Sequence, residues 1–361
     1  MFDFDKYPVL ANIGLFSAAA FAIWRSGVKL EHYSDAIAKK TGIGHILGGI
    51  LLLAVATSLP EIATTVSASM QGNVTLAANN LFGGIWFQMA VLAASDFVLR
   101  QGALTYLTPS YGVLLQGVAL MLLISLALVG LLTSVDVKIF LGLGAWTSAI
   151  FIVYVGIIFL LYRMKGHARW QPAMSEEEKG EIALSTDQQG SSDEEKQKFS
   201  LSLLFIRFGS AAAIVLVAGW LIANVSDALS QQLGLSHSFV GGVLVAFSTS
   251  LPEVSTTFAA MRNGRPTLGI SNVLGTNCLN VALIFLIDVV HTKGLVIESV
   301  TQETAFNASL GALLTAIFLV GLLERRNTTI KGIGVDSWFT LAAFAGGLII
   351  FYARWGSSGP Q

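Results

Sequence analysis

The sequence has few charged residues and almost no cysteine. Charged residues make up 12% of its 361 residues, and the formal net charge is −1 with an isoelectric point near 6.5. Because the chain has no excess of positive charge, we expect no nucleic-acid partner. The single cysteine, Cys278, excludes an internal disulfide. It lies in an apolar stretch, and we interpret it as a small packing residue.

Apolar residues take the place of the missing charge. Hydrophobic residues make up 54% of the chain and the mean hydropathy is +0.70, both well above the averages of soluble proteins. Since a bilayer core about 30 Å thick needs roughly 20 apolar residues per helix, the sequence predicts an all-α membrane protein. Ten stretches qualify as transmembrane helices, at residues 8–24, 43–69, 73–97, 108–132, 138–162, 201–227, 236–261, 266–290, 302–323 and 334–354.

One polar segment, residues 166–198, interrupts the apolar chain. It contains two acidic runs, Glu176–Glu178 and Asp193–Glu195. Such a composition cannot bury enough apolar surface to fold. We therefore predict a polar cytoplasmic linker between a first five-helix half, residues 1–165, and a second, residues 199–361.

The two halves are related in sequence. A shift that places Glu253 on Glu61 aligns about seventy positions without a gap, the sign of an internal repeat. The identities include Thr57-Ser-Leu-Pro-Glu61 with Thr249-Ser-Leu-Pro-Glu253, Asn80 with Asn272, Gly83 with Gly275 and Asp96 with Asp288. Because each half holds an odd number of spans, the second half enters the bilayer in the opposite direction. The sequence thus predicts an inverted repeat, with its most similar segments at about 43–97 and 236–290.

The distribution of positive charge favours the same topology. With the N-terminus outside, 16 of the 21 lysine and arginine residues fall on the inner face, where such residues accumulate. The loop after the first span carries Arg25, Lys29, Lys39 and Lys40, whereas its repeat partner, residues 229–239, carries none. Matching sequences are therefore expected on opposite faces. We predict an integral membrane protein of a prokaryotic inner membrane with an external N-terminus.

The repeated motif places a carboxylate, two hydroxyls and a proline in the middle of a span. An ionised group there costs roughly 2.5–3.5 kcal/mol unless something compensates it. Thr57 and Glu61 share one helix face, and the proline before the glutamate breaks the helix and frees backbone carbonyls. An inverted repeat brings two such broken helices together near the midplane. Glu61 and Glu253 would then lie in a cage of oxygen atoms, the ligands that Ca²⁺ prefers.

The motifs resemble those of the cation/calcium exchanger superfamily, in its sodium/calcium exchanger branch. The resemblance rests on Gly49…Ala54-Val-Ala-Thr-Ser-Leu-Pro-Glu61, on Gly241…Ala246-Phe-Ser-Thr-Ser-Leu-Pro-Glu253 and on Ser271-Asn-Val-Leu-Gly-Thr-Asn-Cys-Leu-Asn280. It implies ten helices, a central site between spans 2, 3, 7 and 8, sliding of spans 1 and 6, and no cofactor besides the transported ions. The ligands it implies are the carbonyls of Ala54 and Ala246 and the side chains of Thr57, Ser58, Glu61, Gln88, Thr249, Ser250, Glu253, Thr276 and Asn280.

The chain departs from the family pattern at three of these positions. Gly84 stands where the family usually has serine, Gln88 replaces an asparagine, and Asn280 stands where many members have aspartate. Two carboxylates remain, and they can neutralise one Ca²⁺, two Na⁺ or two H⁺. We therefore predict an antiporter, not an enzyme, that exchanges Ca²⁺ or a related cation against Na⁺, with H⁺ coupling as the alternative.

Two further classes are less consistent with the sequence. An intramembrane metalloprotease needs spaced histidine ligands such as His-Glu-x-x-His, which the five histidines do not provide. A cation channel also uses intramembrane carboxylates, but broken helices in an inverted repeat favour a transporter. We expect Asp96 and Asp288 at interfacial, solvated or helix-end positions, with an ion-pathway role as the alternative. The sequence makes no prediction of the oligomeric state.

Overall fold

Helices form nearly all of the structure, which is a computed structural model. It describes residues 3–41, 57–99, 102–108, 110–133, 137–139, 142–163, 200–291, 294–299 and 302–356. The helices are α1 (Val9–Thr41), α2 (Leu59–Met70), α3 (Val74–Ser95), α4 (Tyr111–Thr133), α5 (Ala145–Arg163), α6 (Leu201–Leu233), α7 (His237–Thr249), α8 (Leu251–Arg262), α9 (Pro266–Ala282), α10 (Ile284–Val290), α11 (Val296–Ser299), α12 (Gln302–Glu324) and α13 (Val335–Phe351). The predicted helical architecture is confirmed. A short antiparallel hairpin, β1 (Thr329–Ile330) and β2 (Ile333–Gly334), precedes α13.

Among the described residues, eight helices are long and apolar enough to cross a membrane, and the bent pair α7 and α8 gives a ninth when it is counted as one span. Each of the nine overlaps one stretch that the sequence predicted as a span. The remaining predicted span, 43–69, is described only from residue 57 onward, where it contains α2. Its first part and the predicted linker, residues 166–198, lie outside the described residues.

The first helix of each half is longer than the predicted span. α1 and α6 each contain 33 residues, or about 50 Å of helix at 1.5 Å per residue. The predicted boundaries 8–24 and 201–227 were wrong because they followed hydropathy, whereas a helix continues past the apolar window as long as its backbone hydrogen bonds do. α6 ends at Gly234, whose φ of 65° stops the helix.

The centre of the molecule is formed by α3 and α9. Of their most apolar windows, 72% and 67% are buried, compared with 22% for α5, α6 and α13. α1 and α6 pack along each other at one side of this centre, α6 also packs on α2, and α1 packs on α8. The two long helices therefore contact the helices that carry the repeated motif.

Small residues let α3 approach the first part of α7 closely. A β-carbon at Gly83 would overlap the backbone of Gly242, and one at Gly241 would lie 2.6 Å from the carbonyl oxygen of Leu76. These contacts agree with a packing role for Gly83. They also bring α7, which contains a π-helical turn at Val240–Val245, into contact with the central helix of the other half.

Asp96 directly follows α3, and Asp288 lies in the last turn of α10. Both therefore lie at helix ends, which is one of the positions expected from the sequence. Their side chains are not solvated, since Asp96 is 0% and Asp288 6% exposed. The prediction of a helix-end position is confirmed, and the prediction of solvation is wrong. The physical reason is that backbone N–H groups and hydroxyls replace water around both carboxylates.

Candidate cation-binding site

Each copy of the repeated motif begins a helix after an irregular serine. Ser58 has φ −87° and ψ 6°, and its repeat partner Ser250 has φ −81° and ψ 0°. The following proline is the second residue of α2 or α8, where a missing N–H removes no helical hydrogen bond. In the second half the chain bends by 46° at Ser250. The break predicted from the motif is therefore present there.

Both glutamates of the motif are buried in the first turn of a helix. Glu61 is 0% and Glu253 1% exposed. The N-terminal end of a helix carries partial positive charge, which favours a carboxylate in this position. The four motif hydroxyls are equally buried, namely those of Thr57, Ser58, Thr249 and Ser250.

Contacts between the halves place the two motifs next to each other. The hydroxyl of Thr249, in the second half, lies beside the carboxylate of Glu61, in the first. Thr249 Oγ1 also has two acceptors within reach, Asn80 Oδ1 at 3.2 Å and the carbonyl of Ala246 at 3.2 Å. Asn80 in turn donates to Thr64 Oγ1 at 2.9 Å. This chain of hydrogen bonds joins α2, α3 and α7.

The second half repeats part of this arrangement. Asn272, the repeat partner of Asn80, lies 3.4 Å from Thr256 Oγ1, the repeat partner of Thr64. In the sequence these two asparagines stand out only as repeat identities and not as site residues. Their identity in register was the signal that could have assigned them.

The remaining predicted ligands come from α3 and α9. Gln88, 1% exposed, lies with its Nε2 3.5 Å from Ser250 Oγ. Asn280 is 0% exposed and Thr276 2%. A β-carbon at Gly84 would lie 3.2 Å from Asn280 Nδ2, so the two helices face each other at this point. α3, α9 and the bend at Ser250 thus meet around one buried space.

Of the two predicted carbonyl ligands, those of Ala246 and Ala54, the structure describes only the first. The Ala246 carbonyl accepts the backbone N–H of Ser250 at 3.1 Å and the hydroxyl of Thr249 at 3.2 Å. It would reach a cation only if the hydroxyl turned away. Ala54 lies outside the described residues. Asn277, which the sequence reading left out of the site, is 0% exposed and has no hydrogen-bond partner for either side-chain amide atom.

The site is rich in oxygen atoms and poor in positive charge. Ser58 Oγ, both Glu61 oxygens, Gln88 Oε1 and Asn280 Oδ1 are buried without a hydrogen-bond partner. Among the buried side chains in the described part of the chain there is no lysine, arginine or histidine. Buried carboxylates need a counter-charge or a proton. No cluster of three or more His, Cys, Asp and Glu side chains occurs in the described ranges, so a cation here depends on hydroxyl and amide oxygens beside the two glutamates.

The chain matches the model of a known family. The model of the sodium/calcium exchanger protein family matches residues 11–160 and 202–353. The chain belongs to this family. The two matched stretches correspond to the two halves found in the sequence and leave out the polar segment between them. Members are membrane antiporters of cations, among them Ca²⁺, so this chain is a multi-pass membrane transporter.

Individual relatives are distant but cover most of the chain. The inner membrane protein YrbG of Escherichia coli (strain K12) is 23% identical over 328 residues, which is 91% of both chains. The solved sodium-calcium exchanger NCX_Mj is 15% identical with a TM-score of 0.56 and covers 96% of this chain and 99% of its own. The H⁺/Ca²⁺ exchanger CAX is 12% identical with a TM-score of 0.62, covering 96% and 89%. At these identities the two structures establish a shared fold.

Proposed function

We propose that the chain is a secondary antiporter that exchanges Ca²⁺, or a related divalent cation, against Na⁺ at one site centred on Glu61 and Glu253. The observation that carries the proposal is the burial of both carboxylates in a region where the described buried side chains supply no positive charge. A cargo cation would provide that charge. The proposed ligands are the oxygens predicted from the sequence, with Asn80 positioning Thr249 and Thr64, and Asn272 positioning Thr256.

The charge of the site sets the charge of the cargo. Two carboxylates are neutralised by one Ca²⁺ or by two Na⁺, and the two states compete for the same oxygens. Exchange of one for the other would move no net charge across the membrane. In the low dielectric of the bilayer, states with an uncompensated charge are strongly disfavoured, so movement with an empty or half-filled site is suppressed. Because the two ions compete for the same oxygens, the movement of one is coupled to the movement of the other in the opposite direction.

The contacts of two equivalent glycines support alternating access. Gly27 in α1 lies against Pro252, whereas its repeat partner Gly219 in α6 lies against Ala63, three residues beyond Pro60. Measured from the motif proline, the contact of α6 therefore lies three residues further along the motif helix than the contact of α1. This difference is nearly one helical turn of about 5.4 Å. In an inverted repeat, the opposite-facing state has these two contacts interchanged, so that α6 lies at the motif proline and α1 lies nearly one turn beyond it. We propose that α1 and α6 slide by this distance during transport.

The full topology remains part of the proposal. Ten spans in two inverted five-helix repeats fit the matched halves and the bias of lysine and arginine to one face. That bias places the N-terminus outside. The name of the Escherichia coli relative supports a prokaryotic inner membrane.

Proton coupling is the second candidate, because two carboxylates can bind two H⁺ and the fold is shared with an H⁺/Ca²⁺ exchanger. Sodium is favoured by the Thr-Ser-Leu-Pro-Glu motif, which resembles the sodium/calcium branch. A channel is disfavoured because Glu61 is fully enclosed, as a carrier requires and an open pore does not.

The test is a flux assay in proteoliposomes with one gradient changed at a time. An opposing Na⁺ gradient should drive saturable Ca²⁺ movement, and an equal K⁺ gradient should not. A pH gradient without Na⁺ would drive it if protons are the coupling ion, and large uncoupled currents would indicate a channel. Glu61→Gln or Glu253→Gln should abolish exchange in folded protein, while Glu298→Gln, at an exposed site, should not. Exchange at the wild-type rate in either site variant would contradict the proposed site.

A further inference from the structure

Two positions of α3, one helical turn apart, face the motif of the second half. A β-carbon at Gly84 would lie 3.6 Å from Ser250 Oγ and 3.2 Å from Asn280 Nδ2. Gln88 Nε2 lies 3.5 Å from the same Ser250 oxygen. On the α3 side of the site, Ser250 therefore meets an amide N–H group and no hydroxyl.

The repeat partners of these positions have a different chemistry. In α9 they are Thr276 and Asn280, a hydroxyl followed by a short amide. In α3 the hydroxyl is absent and the amide is one methylene longer. Both positions approach the same oxygen, since a β-carbon at Gly84 and the amide nitrogen of Gln88 lie 3.6 Å and 3.5 Å from Ser250 Oγ.

The two kinds of group act in opposite ways on a cation. A hydroxyl offers oxygen lone pairs, whereas the amide nitrogen of glutamine offers only hydrogen atoms. When Gln88 donates to Ser250 Oγ, its positive end lies against that oxygen, in the place where a coordinated cation would lie. The other amide atom, Gln88 Oε1, has no hydrogen-bond partner and stays available to cargo held by the glutamates.

We infer that the Gln88 amide nitrogen takes the place of a monovalent cation on the α3 side of the site. Gln88 and Gly84 together then set how many coupling ions the carrier binds, and they limit the total to the two positive charges that the glutamates neutralise. This inference rests on the proposed function only in taking Glu61 and Glu253 as the centre of the cation site.

The inference is tested by counting bound ions in purified protein. Equilibrium binding of radioactive Na⁺ in detergent should give one more Na⁺ per chain for Gly84→Ser/Gln88→Asp than for wild type, because this variant removes the amide nitrogen and supplies the negative charge that a third Na⁺ needs. Asn280→Asp adds the same charge but keeps Gln88, and it should gain no Na⁺. Gln88→Glu keeps the length of the side chain and replaces the nitrogen by oxygen, and it should also gain a bound Na⁺ above neutral pH. The matched control is Gln116→Glu, the same change in α4 outside the site, which should gain none.

Binding of radioactive Ca²⁺ by each variant shows that the site is folded. Variants that bind Ca²⁺ but the same number of Na⁺ ions as wild type would overturn the inference. If the double variant does not fold, Gln88→Glu decides alone. The result is separate from the proposed function, because a wild-type protein that fails to exchange Ca²⁺ for Na⁺ in liposomes would contradict that function while the difference in Na⁺ count would still decide the role of Gln88.

Discussion

Asp96 and Asp288 occupy equivalent positions in the two halves and make equivalent hydrogen bonds. Asp96 Oδ1 accepts the backbone N–H of Leu104 at 2.9 Å, and Asp288 Oδ1 accepts that of Val296 at 2.8 Å, eight residues onward in each case. The second oxygen of each holds the start of a helix from the other half. Asp96 Oδ2 accepts from Gly334 N at 2.7 Å, directly before α13, and from Ser337 Oγ at 2.8 Å, in its first turn. Asp288 Oδ2 accepts from Gly144 N at 3.3 Å, directly before α5, and from Thr147 Oγ1, in its first turn.

These two carboxylates therefore join the halves at both ends of the central helices, and their removal should destabilise the protein. In Asp96→Asn or Asp288→Asn an amide N–H₂ would face backbone N–H groups that have lost their acceptor. We expect the free energy of unfolding to fall by about 1–3 kcal/mol, the cost of unpaired buried groups. Thermal unfolding in detergent, compared with the exposed Glu298→Gln, measures this. An unchanged unfolding midpoint with altered cation flux would instead indicate an ion-pathway role.

The missing third carboxylate makes Asn280 a tuning position. Both amide atoms of Asn280 are buried without a hydrogen-bond partner, and the residue faces Gly84 across the site. Asn280→Asp would add a negative charge to the cage, so divalent cations should bind about 10-fold more tightly, equivalent to roughly 1.4 kcal/mol. Release should be slower for the same reason.

The same substitution should make binding more dependent on pH, since protons compete more strongly for three crowded carboxylates than for two. A titration of Ca²⁺ affinity across pH at fixed Na⁺ checks both effects. The isosteric Asn277→Asp, one turn earlier in α9, serves as a comparison for a carboxylate added nearby. Unchanged affinity and pH response in Asn280→Asp would mean that residue 280 does not face the ion.

The break after the motif serine in the second half and the burial of both motif glutamates agree with what the sequence predicted, while the cation ligands stay a prediction. The motif around Glu61 and Glu253 contains its own helix break, because a proline fits in the first turn of a helix but breaks or kinks a helix in its interior. The identity of the two copies predicted that both carboxylates belong to one site. Such features depend on neighbours a few residues away, which the sequence displays directly.

Contacts between distant segments could not be predicted in this way. Asp96 is held by Gly334 and Ser337 from α13, and no pattern in those residues marks them as partners of a carboxylate. The bond from Thr249 to Asn80 likewise depends on how the halves pack. The C-terminal ends of α1 and α6 were predicted too early for a different reason. Hydropathy indicates which residues lie in the bilayer core, and it does not indicate where the helix ends.

The inverted topology can be tested at two equivalent positions. Gln71 and Asn263 are repeat partners that end α2 and α8, and both are exposed with negative φ, so cysteine fits without backbone strain. In a Cys278→Ala background, an impermeant maleimide added to intact cells should label Gln71→Cys only. Asn263→Cys should react after permeabilisation. Equal labelling of both from one side would contradict the inverted repeat.

The sliding of α1 and α6 yields the last prediction. A methyl group at Gly27 would overlap Pro252, and one at Gly219 would lie 2.5 Å from Ala63 Cβ. The small surface of each glycine lets the long helix lie directly on a motif helix, and a slide moves it across the side chains of the next turn. An added methyl group should obstruct both the observed contact and its exchange.

We therefore expect Gly27→Ala and Gly219→Ala to slow exchange while cation affinity stays near that of wild type. Overpacking typically costs about 1–3 kcal/mol, which corresponds to a roughly 5- to 150-fold lower rate if it acts on the barrier. Matched controls lie in the same helices, because Gly14 in α1 and Gly209 in α6 have no neighbouring atom within 4 Å of an added β-carbon. Initial exchange rates in proteoliposomes and Ca²⁺ binding in detergent separate the two effects. If Gly27→Ala and Gly219→Ala exchange as fast as Gly14→Ala and Gly209→Ala, these glycines do not lie on the sliding surface, and the one-turn difference between them is not the transport step.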